Sequence, residues 1–269
     1  MKLKDWIKKN KDYFTECDLR YLLKNVFLKD YIFLYLEDYR LSQEKLDYLE
    51  KIKRLYLKGH PLAYLLKKED FLGLEFKINP SVFIPRQETE VIVEEAIQII
   101  RKEKLKKILD LGCGCGNIGI CIKKRVPHIE IFFSDINLSA LKITSLNLGI
   151  HNLKGFLINC DLFEGFKKNV FDLIISNPPY VEEEDIKGSL RFEPVNSLKA
   201  EKGGLFFIEK ILKEAYFYLK EKGFLILECG YNHKEKIEKI INELSFWQIK
   251  KWIKDYLGKS RGLIVEKYG

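Results

Sequence analysis

A chain of 269 residues, 46% hydrophobic and 13% aromatic, is long for one domain and comfortable for two, and its apolar content excludes a disordered or low-complexity protein. The 47 Lys and Arg against 39 Asp and Glu leave a formal charge of +8, a balance that permits contact with nucleic acid or a ribonucleoprotein without requiring it, because scattered lysines chiefly solvate a surface. Six cysteines without a C-x-x-C pair and four histidines without ligand spacing point to reduced, mostly buried thiols and no metal site.

The amino terminus, M-K-L-K-D-W-I-K-K-N-K, is too charged for the apolar core of a signal peptide, and no apolar run reaches membrane length, so a soluble cytoplasmic protein is expected. Residues 1–70 read as a small helical bundle. Thr15 can cap a segment from Cys17 to Lys29. Ser42 can cap another, in which Leu46, Leu49, Ile52 and Tyr56 recur at helical steps before Gly59 ends it, and Pro61 opens a short helix through Leu66. None of these residues suggests catalysis, and the apolar stripes are core material. No heptad or long apolar helix argues for more than a monomer.

From Phe71 to Arg86 the text alternates apolar and polar residues around Asn79-Pro80-Ser81, which predicts a β-hairpin linker over residues 71–86. Arg86-Gln87-Glu88-Thr89-Glu90 then feeds a helix through V-I-V-E-E-A-I-Q-I-I. Glu88 and Glu90 either favour the positive end of that helix or line a cleft, and spacing alone does not choose.

Residues 87–269 alternate strand and helix. Lys106 to Leu111 reads as a buried strand running into Gly112-Cys113-Gly114-Cys115-Gly116-Asn117-Ile118-Gly119, where glycines allow a tight turn and close approach to a ligand, and the helix they open offers its N–H groups. Gly114, Gly116 and Gly119 also satisfy G-x-G-x-x-G by letter, which keeps a nicotinamide-binding protein as a rival. Ile131 to Ser134 is the second strand, ending at Asp135, placed to accept hydrogen bonds from a ribose hydroxyl pair. A helix capped by Asn137 or Ser139 follows, then a strand from Gly155 to Asn159 ending at Cys160-Asp161-Leu162. Phe171 to Ile175 is a fourth strand. After a long loop carrying Arg191-Phe192-Glu193-Pro194 come a helix from Gly204 to Leu219, a strand from Gly223 to Cys229, a helix from Asn232 to Leu244 and a closing strand pair, Phe246 to Ile253 and Gly262 to Glu266. This alternation predicts an α/β fold with a doubly wound sheet of seven strands.

The fourth strand stops at Ser176-Asn177-Pro178-Pro179-Tyr180. Two successive prolines fix φ and remove two N–H donors, so the loop presents carbonyl acceptors in a set direction. The Asn177 side-chain oxygen and the Pro178 carbonyl can together accept both hydrogens of a planar NH2 group, with the Tyr180 ring against its flat face. Such an amine is a poor nucleophile, and holding it between acceptors aims its nitrogen and stabilises the charge that grows there. An ordinary strand-ending turn would look similar, so this tetrapeptide needs its neighbours to decide its role.

With D-L-G-C-G-C-G, Asp135, Asp161 and N-P-P-Y in this order, the chain after about residue 86 resembles the class I S-adenosylmethionine-dependent methyltransferases, in particular those acting on planar exocyclic nitrogens. G-H-P-L-A-Y-L-L, F-L-G-L-E-F-K-I-N-P-S-V-F-I-P-R-Q-E-T-E and L-R-F-E-P narrow this to a resemblance to the protein-(glutamine-N5) methyltransferases of peptide-chain release factors. The family pattern has Pro at Gln87 and Gly at Lys67. The resemblance implies a Rossmann-like methyltransferase domain preceded by a helical substrate-docking domain. It further implies S-adenosylmethionine as cofactor with S-adenosylhomocysteine as product, and class 1 release factors as the protein substrate without obligatory nucleic-acid binding. By position, Gly112, Cys113, Gly114, Cys115 and Gly116 cradle the methionine end, Asp135 holds the ribose, and Asp161 and Leu162 flank the adenine. Asn177 and Pro178 hold the substrate amide as catalytic groups, Asn177 also facing the cofactor, and Pro179 and Tyr180 complete the substrate pocket. A DNA or RNA N6-adenine methyltransferase is the alternative, since N-P-P-Y is shared, although no extra target-recognition region is visible.

Overall fold

The computed structural model describes residues 1–29, 31–36 and 39–268, with Phe33, Tyr35 and Leu36 described by main chain alone. The chain divides into two compact units, Met1–Lys68 and Glu69–Gly269. Among the described residues no helix is long and apolar enough to cross a membrane.

The first unit contains α1 (Leu3–Asn10), α2 (Glu16–Phe27), α3 (Tyr31–Leu36), α4 (Gln43–Tyr56) and α5 (Leu62–Leu66). Thr15 Oγ1 accepts the Asp18 N–H at 3.1 Å and Ser42 Oγ accepts the Lys45 N–H at 3.3 Å, so both expected caps satisfy a donor that the first helical turn leaves unpaired. Trp6, Leu22, Leu23 and Leu49 are fully buried between these helices, and Phe14 stacks on Tyr56 with centroids 4.8 Å apart.

The hairpin lies earlier than the sequence reading placed it. β1 (Lys68–Phe71) and β2 (Leu74–Lys77) are joined by Leu72-Gly73, both at positive φ (48° and 77°), the geometry of the two-residue turns that match strand twist. Glu90 Oε1 accepts the Leu72 N–H at 2.8 Å and fixes this turn. Asn79-Pro80-Ser81 instead makes a local turn, in which Asn79 Oδ1 accepts the Ser81 N–H at 2.9 Å.

Next come α6 (Gln87–Glu103), β3 (Lys107–Leu111), α7 (Asn117–Arg125), β4 (Glu130–Asp135), α8 (Leu138–Ile150), β5 (Phe156–Asn159) and β6 (Phe171–Ser176). The chain closes with α9 (Glu201–Gly204), α10 (Phe206–Tyr218), β7 (Leu219–Glu228), α11 (Lys234–Leu244), β8 (Trp247–Lys254) and β9 (Ser260–Lys267). The seven-stranded sheet runs β5-β4-β3-β6-β7-β9-β8, parallel except for β9, which is antiparallel to both its neighbours.

Because successive strand residues face opposite sides, each strand feeds two cores. Ile108, Ile131, Phe133, Leu173 and Ile175 pack on one face with Ile92 and Ile97 of α6 and Ile118 and Ile122 of α7. Leu109, Leu111, Ile174, Leu225 and Leu227 pack on the other with Ile208 and Leu212 of α10 and Ile237 of α11. Both faces covered by helices explain why these strands read as near-continuous apolar runs.

Candidate active site

β4 lies on one side of β3 and β6 on the other, so the winding direction reverses between β3 and β6, and the loops leaving their carboxyl ends open a crevice. A cavity of about 600 Å³ occupies it, walled by Gly112, Cys113, Gly114 and Cys115 after β3, Ser134 and Asp135 at the end of β4, Asp161 and Leu162 after β5, and Asn177 through Tyr180 after β6. Four separate stretches of sequence are thereby gathered at one edge of the sheet. The volume is of the size that takes a nucleoside-sized ligand.

The glycine loop is held from behind. Gly112 and Cys113 N–H groups donate to the Ser134 carbonyl at 2.8 and 2.9 Å, and Gly114 N–H donates to Asp135 Oδ2 at 2.9 Å. Gly112 and Gly114 take φ of 70° and 56°, and a Cβ on either would meet nothing within 4 Å: conformation demands glycine here, and the ligand side is open. Gly116 does not wall the cavity; its φ of 80° also calls for glycine, and a Cβ there would stand 2.7 Å from Thr144 Cγ2, so close packing against α8 adds to the conformational demand. Gly119 is likewise a packing position, with Phe133 Cε1 only 2.3 Å from its would-be Cβ. The G-x-G-x-x-G spelling thus arises from packing at two of its three glycines.

Asp110 lies fully buried beneath the loop, its Oδ2 accepting the Gly119 N–H at 2.8 Å while Oδ1 has no partner among the described residues. Burial pushes its carboxyl up to about 7. Asn147 is also fully buried: its Nδ2 donates to the Cys115 and Lys77 carbonyls, its Oδ1 accepts the Lys77 N–H, and so it ties β2 to the glycine loop. Asp135 accepts a second main-chain donor, Asn137 N–H, on Oδ1 at 2.9 Å, and burial raises its pKa against these two bonds. Asp161 walls the cavity and stands 3.7 Å from Lys210 Nζ, and Leu162 follows it at φ 42°.

At the other wall, Ser176 Oγ donates to the Leu111 carbonyl at 2.7 Å and ties the ends of β6 and β3 together. Asn177 Nδ2 donates to Thr89 Oγ1 at 3.3 Å. One of the two Nδ2 hydrogens is thereby held by protein, which sets the amide's direction and leaves Oδ1 as its acceptor. Tyr180 Oη donates to Glu228 Oε1 at 3.0 Å, its ring stands edge-on to His233 with centroids 6.3 Å apart, and its carbonyl crowds Gly204, where a Cβ would approach to 2.4 Å. The tyrosine face is therefore set by packing before any substrate arrives.

Thr89, Ser134 and Glu228 carry no spacing signature and were not distinguishable from the sequence. Of the triplet Glu88-Thr89-Glu90, only Thr89 walls the cavity. Glu88 stands 3.7 Å from Arg261, and Glu90 holds the hairpin turn. Glu193 is buried and takes both the Ile84 N–H at 3.1 Å and the Arg86 guanidinium, which itself lies over the Phe83 ring. This carboxylate fixes Phe83 and Pro85 as a wall of the cavity.

The fold and the crevice define a methyltransferase domain of the doubly wound type, and residues 80–251 match the family model described as Methyltransferase small domain. The chain is 35% identical to the release factor glutamine methyltransferase of Clostridium botulinum over 94% of this chain and 92% of that one, and 32% identical to the Buchnera aphidicola subsp. Acyrthosiphon pisum protein of the same name over 100% and 99%. It belongs to the release factor glutamine methyltransferase family. A methyltransferase from Pyrococcus furiosus shares the fold, with a TM-score of 0.54 at 17% identity, covering 85% of this chain and 100% of that one.

Proposed function

We propose that this chain transfers a methyl group from S-adenosylmethionine to the side-chain N5 of the glutamine in the Gly-Gly-Gln loop of class 1 peptide-chain release factors. The observation that carries the reading is the Asn177 amide: its Nδ2 donates to Thr89, and Asn177 and Pro178 wall the same cavity as the glycine loop, which supports Oδ1 and the Pro178 carbonyl as the acceptor pair for the substrate amide. The cavity fits the cofactor by its chemistry. Gly112 and Gly114 leave open main chain for the methionine end, the Asp135 carboxylate retains lone pairs for ribose hydroxyls, and Asp161 and Leu162 offer a polar and an apolar edge for a base. When bound, S-adenosylmethionine supplies an electrophilic methyl group on a sulfonium sulfur.

The protein's own part is positioning and electrostatics. Asn177 Oδ1 and the Pro178 carbonyl take the two amide hydrogens, aim the nitrogen for in-line displacement, and stabilise the positive charge that develops on it. Pro179 keeps the loop rigid, and Tyr180 presents a fixed aromatic face. The helical unit, residues 1–68, serves as the docking module for the whole release factor. The enzyme acts as a monomer in the cytoplasm, where its substrate works.

Mass spectrometry of a release factor incubated with the protein and S-adenosylmethionine is expected to show one added methyl on the loop glutamine. Asn177→Ala should lower the single-turnover rate by about 10²- to 10³-fold with cofactor affinity largely kept, whereas Asn177→Asp, which keeps an acceptor, should retain more activity. If both variants transfer methyl at the parent rate, Asn177 is not the amide holder.

A further inference from the structure

We propose that Glu193 is the positioning residue that closes a bonded ring through the substrate-amide wall and so holds Asn177 in register with the cofactor. The inference rests on the glutamine-methylation reading. Three stretches far apart in the chain wall the cavity on this side: Pro85 and Thr89 where α6 begins, Asn177 through Val181 after β6, and Val195 through Ala200 ahead of α9. Glu193, just before the third stretch, is buried, and its two oxygens both reach the first: Oε2 accepts the Ile84 N–H at 3.1 Å, and Oε1 takes the Arg86 guanidinium.

The bonds run in a circuit. The Arg86 carbonyl accepts the Thr89 N–H at 3.1 Å, and Thr89 Oγ1 accepts from Asn177 Nδ2 at 3.3 Å. From Asn177 the chain passes through two prolines, whose fixed φ stiffens the loop, to Val181. Val181 donates its N–H to the Leu198 carbonyl at 2.8 Å and accepts the Ala200 N–H at 2.9 Å, a short parallel bridge. Between Leu198 and Glu193 the chain is folded into a tight turn, the Ser197 N–H donating to the Pro194 carbonyl at 2.9 Å and the Leu198 N–H to the Val195 carbonyl at 3.0 Å. Glu193 then returns to Arg86, and the ring is shut.

Closure matters because Asn177 is only lightly tied. A single side-chain bond of 3.3 Å lies at the long end of the useful range, so the amide follows whatever its two neighbouring stretches do. Cut at Glu193, the ring becomes two arms, the start of α6 carrying Thr89 and the stretch carrying Leu198, and each can drift from the other. A small displacement produced by a residue that touches no reacting atom is enough to slow a reaction that depends on alignment. A buried carboxylate suits the closing position, because it serves two donors at once and its bond to a guanidinium is charge-assisted. Arg86 carries the restraint onto the wall itself: its guanidinium lies 4.6 Å from the centroid of the Phe83 ring, which also lines the cavity. The glycine loop and Asp135 stand outside the ring, bonded to one another and to the Ser134 and Asn137 main chain, so the cofactor's grip does not depend on it.

The test cuts the ring at its closure. With a release factor and saturating S-adenosylmethionine, Glu193→Gln, which keeps an acceptor for Ile84 but gives up the charge, is expected to lose roughly 10- to 100-fold in single-turnover rate, with calorimetric cofactor affinity changed less than about 3-fold. Glu193→Gln combined with Arg86→Met, which strands no charge, should lose no more than Glu193→Gln alone, since both cut the ring at one place. Arg86→Lys, which returns a cation to Glu193, should stay closer to the parent than either. Hydrogen exchange reads the ring without substrate: the Val181 and Ala200 N–H groups should exchange at least about 10-fold faster in Glu193→Gln, and the Gly114 N–H at the parent rate. Parent-like transfer rates in the single and double variants, a further loss in the double variant, or a fall in cofactor affinity that matches the fall in rate would overturn the inference while leaving the proposed function standing. A parent that methylates no release factor would instead sink the proposed function. In that case the exchange rates still decide the ring: faster exchange at Val181 and Ala200 in Glu193→Gln supports it, and equal exchange in the two proteins overturns it.

Discussion

Lys67 holds φ at 57° where α5 ends, a left-handed position that costs a residue bearing a Cβ about 1–2 kcal/mol and costs glycine almost nothing. The departure from the family's glycine at this point is thus a stability matter with no bearing on chemistry. Lys67→Gly is expected to raise stability by about 0.5–1 kcal/mol, the larger backbone entropy of unfolded glycine consuming part of the gain, as read by urea unfolding at constant slope. Unchanged or lowered stability would show that the lysine side chain contributes more than its backbone costs. The same reasoning separates what a single residue discloses in sequence from what it conceals. Gly112 and Gly114 could be read ahead because left-handed backbone has few tenants, and Asn177 because prolines isolate it. Thr89 and Glu228 could not: the loop residues they hold, Asn177 and Tyr180, lie 88 and 48 positions away in the chain, and a lone threonine between two glutamates looks like helix-start text.

Elements were legible where one period ran unbroken and illegible where a short turn had two plausible homes. The strands β3, β4, β6 and β9 have apolar runs bounded by Gly, Asp or Asn, and they fall close to where the sequence puts them. The hairpin moved because Leu72-Gly73 competes with Asn79-Pro80-Ser81, and the deciding contact, Glu90 to the Leu72 N–H, comes from an element 18 residues downstream. At the start of α6, Gln87 occupies the first helical position, and Arg86 before it already has the extended backbone (φ −114°, ψ 148°) that a following proline requires. Gln87→Pro is therefore expected to add about 0.4–1 kcal/mol by restricting the unfolded chain, with methyl transfer unchanged, and thermal unfolding checks it. A loss of stability would mean that the Gln87 N–H has a partner after all.

Beneath the glycine loop, the elements β3 and α7 are joined by a carboxyl whose pKa rises on folding, from 3.8 to about 7 for Asp110, because burial penalises its charge. The sign follows directly. The folded state holds the proton more tightly than the unfolded state, so this contribution is fully present below about pH 3.8 and is lost as pH rises through about 7, at roughly 1.4 kcal/mol per pH unit between the two values. Asp110→Asn keeps the acceptor for Gly119 N–H and cannot ionise. Its melting temperature should fall less than the parent's between pH 5 and pH 8; parallel curves for the two proteins would remove Asp110 as the source.

At the scale of the whole molecule, charge divides the chain as unevenly as chemistry does. Residues 1–68 hold 16 Lys and Arg against 10 Asp and Glu, and the remaining residues hold 31 against 29, so most of the net +8 sits on the helical unit, none of whose described residues walls the cavity. A basic unit attached to a complete methyltransferase domain is suited to bring an acidic surface of a large substrate to the chemistry, which accelerates encounter without altering the transfer step. Removing residues 1–68 leaves a unit with its own two cores and the entire cavity, so cofactor affinity should persist. The KM for an intact release factor should rise steeply, while that for a short Gly-Gly-Gln peptide should change little. Salt separates electrostatic docking from any other kind. Raising ionic strength from about 0.05 M to about 0.5 M shrinks the Debye length from roughly 14 Å to about 4 Å, and should raise the KM of the full chain for the release factor toward that of the truncated one. If truncation penalises peptide and protein equally, or if salt leaves the full chain's KM unmoved, the helical unit is not an electrostatic dock, and its charge serves solubility alone.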